Sequence, residues 1–322
     1  MEEYHYLLDL ALILFTTKLF GLISQKFKMP QVVGALLAGL ILGPAVLNIV
    51  QKSNFITTTS EIGVIILMFC AGLETDVKEL KKCGKASFVI ALLGVIVPLL
   101  GGFGVAYFFN QPGIIDSGAT CNVFLQNVFI GVILTATSVS ITVETLKELG
   151  RLKSESGNAI LGAAIIDDIL GIIALTVITS LADSSVNVWI VLLKILGFFA
   201  MVVVAGFAFY KLYVWWANRS KHLRHRHAII CFVFCLGMSY AAEALFGVAD
   251  ITGAFFAGLI ISLTQSSEYL AKKFDVLSYL LLSPIFFASI GLNVVLPSMS
   301  VQIIVFLSLI HISEPTRRTP IS

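Results

Sequence analysis

The sequence predicts an all-α polytopic membrane protein, and three observations carry that reading. Of its 322 residues, 58% are hydrophobic and only 12% are charged, whereas a soluble domain carries nearer one quarter charged residues. The apolar runs are roughly 18–25 residues long, the length a helix needs to cross a hydrocarbon core of about 30 Å. They also lack the alternation of a barrel strand. Helices are then the way to satisfy every backbone polar group inside lipid.

Eleven apolar segments follow one another near residues 6–25, 30–50, 61–75, 86–109, 124–147, 157–182, 187–216, 226–247, 250–264, 276–296 and 300–312. Short connections between them favour one compact membrane domain over residues 1–309. The N-terminus, MEEYHYLLDL, is acidic where a signal peptide would be basic, so the first run is expected to stay as a span. A net charge of +2 is too small to argue for a nucleic-acid partner. The five cysteines, Cys70, Cys83, Cys121, Cys231 and Cys235, show no paired metal spacing and read as small apolar residues.

Basic residues set the expected orientation. Counted over alternate loops, sixteen fall on one side: Lys26 and Lys28, then Lys78 to Lys85, Lys147 to Lys153, Lys211 to Arg226, and Lys272 with Lys273. The other side holds only Lys52. The positive-inside rule makes the first set cytoplasmic and puts the N-terminus outside. The loop KHLRHRH, 221–227, belongs to that basic side and reads as a topological anchor before it reads as a pH sensor.

An internal repeat is visible at one offset. VVGALLAGLI, 32–41, resembles ITGAFFAGLI, 251–260, with Gly34 and Gly39 matching Gly253 and Gly258 at an offset of 219 residues. Gly72-Leu73 and Gly291-Leu292 share that offset. The second segment thus matches the ninth, and an odd step turns the copy upside down in the bilayer. Inverted repeats mark secondary transporters that bind their substrates near the midplane. Close helix packing through small residues would produce a similar pattern without a repeat.

Two segments carry groups that could do chemistry at that depth. The sixth reads GNAILGAAIIDDILGIIALTVI, with adjacent Asp167 and Asp168. Counted from Gly157 the pair lies ~15 Å in, half of a ~30 Å core. Ionisable groups at such depth are costly and mark function. A carboxylate there can hold a proton or a partly dehydrated cation, but not both at once. Asp167 could equally be structural, since adjacent helical residues point about 100° apart. The fifth segment carries TATSVSIT, 135–142, with hydroxyls at Thr135, Thr137, Ser138, Ser140 and Thr142. Such a run can loosen a helix and free carbonyls to ligate a hard cation, or simply back-bond within an intact one. Asp9, Glu61, Glu243 and Asp250 fall near the outer helix ends; Glu61, Glu243 and Asp250 are candidates for an ion pathway.

PQVVGALLAGLILGP, EIGVIILMFCAGLETD, TATSVSITVETLKELG, AAIIDDILGI and ITGAFFAGLIIS together resemble the monovalent cation:proton antiporter-2 family, the Kef-like and Na+/H+ exchanger group. The resemblance covers residues ~5 to 305 in order. It implies an inverted-repeat antiporter fold, with about eleven of an expected thirteen transmembrane helices present, built as a dimerisation domain and a core domain. It implies Na+ or K+ exchanged for protons, Asp168 as the binding carboxylate and Asp167 as its partner. Thr137 and Ser138 would sit in a broken helix nearby. It also implies a homodimer in the plasma membrane, with no cofactor beyond the transported ions. The sequence departs from the family at its end. The repeat mate of Thr137 would fall beyond Ser322, and residues 310–322, ending ISEPTRRTPIS, read as a non-native tail on a truncated chain.

Other functions fit less well. An intramembrane aspartyl protease needs facing aspartates on different helices, whereas these share one helix and no GxGD is present. A sodium-coupled symporter of an organic anion would want a basic group for the anion, and only Lys18 and Lys194 lie inside spans. A truncated, inactive membrane fragment is the remaining alternative.

Overall fold

The computed structural model of the chain describes residues 4–111, 122–182, 187–219, 224–295 and 301–313. Among them every regular element is helical: α1 (His5–Lys26), α2 (Gln31–Leu42), α3 (Asn54–Glu74), α4 (Val77–Phe109), α5 (Val123–Ile133), α6 (Val139–Glu148), α7 (Glu155–Ala182), α8 (Val188–Arg219), α9 (Arg224–Phe246), α10 (Asp250–Ser262), α11 (Ser267–Leu277), a π-helical turn (Ser278–Leu282), α12 (Ser283–Leu292) and α13 (Val301–Ser313). Residues 314–322 of the expected tail lie outside the described residues, as does Cys121.

Local chemistry explains where helices start and stop. Ser53 Oγ accepts the Ile56 N–H at 3.3 Å and opens α3, and Asp76 Oδ1 accepts the Lys78 N–H at 2.8 Å and opens α4. Asn122 Oδ1 and Ser154 Oγ serve α5 and α7 in the same way. Gly43 and Pro44 end α2 after only 12 residues.

Among the described residues, seven helical stretches are long and apolar enough to cross a membrane by themselves: α1, α3, α4, α7, α8, α9 and the continuous run from α11 through α12. The expected count of eleven spans therefore depends on helices that cannot cross alone. At 12 and 13 residues, α2 and α10 each reach only about 18–20 Å. The fifth segment, read as one span over 124–147, is two half-helices, α5 and α6, separated at 134–138.

The chain divides into two compact units. The first comprises residues 1–79, 140–158 and 197–296. Its centre is α3, the most buried of the seven long apolar helices. Backbones meet there at glycines. A Cβ on Gly72 would lie 2.2 Å from the Phe255 carbonyl oxygen of α10, and one on Gly258 would lie 2.3 Å from the Phe69 carbonyl oxygen of α3. A Cβ on Gly39 would lie 2.0 Å from the Ala288 oxygen of α12, and one on Gly291 would lie 2.4 Å from the Leu36 oxygen of α2.

These contacts obey the repeat. The 219-residue offset turns Gly39 into Gly258 and Gly72 into Gly291, so the α2–α12 contact becomes the α10–α3 contact. A third pair agrees: Gly34 abuts the Phe20 carbonyl of α1, and Gly253 abuts the Met238 carbonyl of α9. The glycine pattern is thus both a packing device and a true internal symmetry.

The second unit comprises residues 80–139, 159–196 and 297–322. Its spine is α4, which touches α5 through Gly102 and Gly131 and touches α7 through Ser87 and Gly162.

Since Gly72 and Gly258 leave no room for a methyl, Gly72→Ala and Gly258→Ala should each cost about 1–3 kcal/mol by overpacking. Gly237→Ala, which meets open space within 4 Å, should cost nothing comparable. Thermal unfolding of the three variants in detergent checks this.

Candidate functional site

Asp167, Asp168, Thr137 and Ser138 all fall in the second unit, whereas Ser140 and Thr142 fall in the first. Asp167 and Asp168 sit in α7, 12 and 13 residues after its first residue, Glu155, or about 18–20 Å along a 28-residue helix. Asp167 is buried at 3% exposure, and Asp168 is half-buried. Helix α7 continues through the pair as a regular helix to Ala182.

The hydroxyl run coincides with a real break. Helix α5 ends at Ile133, α6 begins at Val139, and Leu134 to Ser138 lie between them. Thr135 is buried, and its Oγ1 donates to the Val132 carbonyl at 2.8 Å, closing the end of α5. Thr137 is half-buried and Ser138 is exposed. A broken helix sets the carbonyl end of one dipole next to the N–H end of another, and in lipid such backbone is tolerated where it is buried in protein or lines a cavity.

Both α5 and α7 pack on α4. Antiparallel α5 is registered to α4 twice. Asn110 Nδ2 donates to Asn127 Oδ1 at 2.8 Å, and a Cβ on Gly131 would lie 2.5 Å from the Leu99 carbonyl oxygen. On the other side, Ser87 Oγ donates to the Ala159 carbonyl at 3.0 Å, and Gly162 faces Ser87. Counted along the α4–α5 contacts, the break falls beside the Gly94–Pro98 turn of α4; α7 meets α4 at Ser87, through Ala159 and Gly162. Pro98 is buried in that turn and has no N–H, so the Gly94 carbonyl gives up its helical bond at this depth. The second unit thus contains a carboxylate pair, hydroxyls and the freed Gly94 carbonyl, oxygen groups of the kind that ligate a hard cation.

The remaining candidates lie in the first unit. Glu61 is exposed, in the early part of α3. Glu243 is exposed, in the last turn of α9. Asp250 opens α10, where its Oδ1 accepts the Ile251 N–H at 2.7 Å. Of the three histidines in the basic loop, His227 is buried, with its ring 4.5 Å from that of Trp216; the side chains of His222 and His225 lie outside the described residues.

A polar assembly escaped the sequence reading. Lys147, at the end of α6, bonds Asp275 of α11 and lies 3.5 Å from Glu74 of α3. Glu148 accepts the Gln31 N–H with both oxygens, at 2.8 and 3.1 Å. The local signal was present in VETLKE, where Glu144, Lys147 and Glu148 share one helical face. The partners, however, are distant in sequence.

Comparison with known proteins is consistent over nearly the whole chain. The family described as "Sodium/hydrogen exchanger, transmembrane" matches residues 11–313. The Na(+)/H(+)-K(+) antiporter GerN of Bacillus cereus is 38% identical over 320 residues, covering 98% of this chain and 78% of that protein. A Na(+)/H(+) antiporter of Enterococcus hirae is 36% identical over 318 residues, covering 96% and 78%. Among solved structures, the sodium proton antiporter MjNhaP1 from Methanocaldococcus jannaschii has a TM-score of 0.61 at 22% identity. That match spans 91% of this chain and 71% of the other, and at this identity it speaks for the fold.

The contacts that hold α5 and α7 to α4 differ in kind. Gly131→Ala drives a methyl into the Leu99 carbonyl and should cost about 1–3 kcal/mol. Ser87→Ala removes one hydrogen bond and should cost about 1 kcal/mol. Unfolding midpoints measured side by side should rank them in that order.

Proposed function

Because the chain belongs to the sodium/hydrogen exchanger family, we propose that it exchanges a monovalent cation, Na+ or K+, for protons across the membrane, with Asp168 binding each in turn. The observation that supports this most is the aspartate pair itself, Asp167 and Asp168, well inside the long apolar helix α7. Desolvation there makes an unpaired charge expensive, so Asp168 is stable either protonated or with a cation beside it. Proton and cation thus compete for one group, and a carrier that reorients only when that group is neutralised couples their opposite flows.

In this reading Asp168, the less buried of the two, is the exchanging group, and Asp167 shapes its surroundings. Thr137 and Ser138 contribute hydroxyl or carbonyl oxygens from the break. Glu61, Glu243 and Asp250 line the route from the outer side. The protein is multi-pass; the distribution of Lys and Arg supports an external N-terminus, and the plasma membrane is the location proposed. A homodimer is the proposed assembly. Transport requires no resident cofactor, because the ions themselves carry the chemistry, and the chain acts as a transporter and not as an enzyme.

Proteoliposomes carrying a pH-sensitive dye test the assignment. Asp168→Asn should abolish cation-driven proton movement while leaving folded yield near wild type; wild-type rates would contradict the role of Asp168. Thr137→Ala should raise the half-saturating cation concentration with a smaller effect on maximal rate. An unchanged concentration dependence would remove Thr137 from the site.

A further inference from the structure

Opposite charges share a cavity in the first unit without neutralising each other. The cavity has a volume of about 250 Å³, and all of its lining residues belong to that unit. Lys18 reaches it from α1, and Glu144 and Glu148 reach it from α6, four residues apart on one helical face. Among the described residues, no salt bridge joins Lys18 to either carboxylate. Leu14, Val32, Ala35 and Phe287 supply an apolar part of the lining.

The polar groups are held ready for something else. Lys18 Nζ donates to the Tyr279 hydroxyl of the π-helical turn and lies 4.5 Å from the ring centroid. Because that oxygen accepts from Lys18, the phenol proton is left to donate elsewhere. Glu148 receives the Gln31 N–H with both oxygens, at 2.8 and 3.1 Å, which ties the acidic side to the start of α2.

The basic side opens onto an apolar surface. Lys18 is exposed, and Phe15 and Leu22, three and four residues away on α1, are 65% and 56% exposed. Leu280, next to Tyr279, lines the cavity and is 64% exposed. Helix α1 is long and apolar enough to cross a membrane. Acyl chains cover such a surface, and a lysine set in it favours the phosphate of a headgroup.

We propose that this cavity binds the headgroup of an aminophospholipid. The phosphate takes donors from Lys18 and Tyr279, the primary ammonium takes Glu144 and Glu148, and the acyl chains lie along Phe15, Leu22 and Leu280. The balance of charge selects this class. An anionic headgroup would meet two carboxylates for one lysine, and a lone cation would leave Lys18 unanswered. Choline has no N–H to donate to the glutamates, whereas a primary ammonium has three. A phosphate linked to a primary ammonium answers both signs at once, through charge-assisted hydrogen bonds. None of these residues is assigned to ion exchange, so the test does not depend on that assignment.

The test is titration of the delipidated full chain in detergent, read by native mass spectrometry and by the thermal unfolding midpoint. Phosphatidylethanolamine, phosphatidylcholine and phosphatidylglycerol with the same acyl chains are compared. Phosphatidylethanolamine should bind saturably, about tenfold more tightly than either of the others, and should raise the midpoint most. Lys18→Gln and Glu144→Gln should each weaken its binding about tenfold, while Lys18→Arg, which keeps the charge, should retain it. Glu144→Gln should also narrow the gap to phosphatidylglycerol, because it removes a repelling charge. Size-exclusion chromatography shows which variants fold, and the ranking of the three lipids on the wild-type chain needs no variant. Equal affinity for the three overturns the proposal. So does a preference for phosphatidylglycerol, which would make Lys18 alone an anionic-lipid contact, and so do folded Gln variants that bind as wild type. Soluble phosphoethanolamine is the last arm. Failure to compete supports recognition of the whole lipid; competition at the lipid's own concentration makes the ligand a soluble zwitterion and overturns the membrane source.

Discussion

Backbone-to-backbone contact at glycine is the constraint on which the first unit depends. In lipid, burying apolar side chains brings helices no hydrophobic gain, so association relies on close packing and interhelical polar contacts. Gly72 with Gly258, and Gly39 with Gly291, let carbonyls and helix axes approach where a single methyl would collide. The two contacts are one contact used twice, related by the repeat. That economy explains why short α2 and α10, which cannot cross a bilayer alone, are still held: each is wedged against a longer helix, α12 and α3 respectively.

The second unit solves a different problem, that of holding charge and irregular backbone inside an apolar body. Its spine, α4, carries small residues where α5 and α7 approach: Gly102 on one side and Ser87 on the other. Those contacts tie to one spine three features that would each weaken a membrane helix: the Leu134–Ser138 break, the Pro98 turn and the aspartate pair.

Much of this was legible in the chain, because the features that matter are local. The hydroxyl run at 135–142 marked the break, since Ser and Thr compete for backbone partners. Asp167 and Asp168 stood out because lipid penalises charge. The glycine repeat was visible because it recurs at one offset, and the sodium/hydrogen exchanger fold followed from the same stretches. Pairing was not legible. The repeat says that Gly39 resembles Gly258; it does not say that Gly39 meets Gly291. For the same reason the bridge from Lys147 to Asp275, 128 residues away, left no trace except a charged face on α6. Lys147 read as a topological marker because a basic residue at a helix end suffices to explain its position. The short helices were also misjudged in length, as apolar residues continue past Gly43 and Pro44 after the helix has stopped.

If one half-buried carboxylate, that of Asp168, serves cation and proton alternately, competition is its signature. The half-saturating cation concentration for exchange should therefore be measured across a pH series in proteoliposomes, with internal and external pH clamped equal. The account predicts that half-saturation rises in proportion to proton concentration on the acid side, while the maximal rate at saturating cation changes much less. Half-saturation that stays constant across the series would mean that cation and proton occupy separate groups, and would contradict the account.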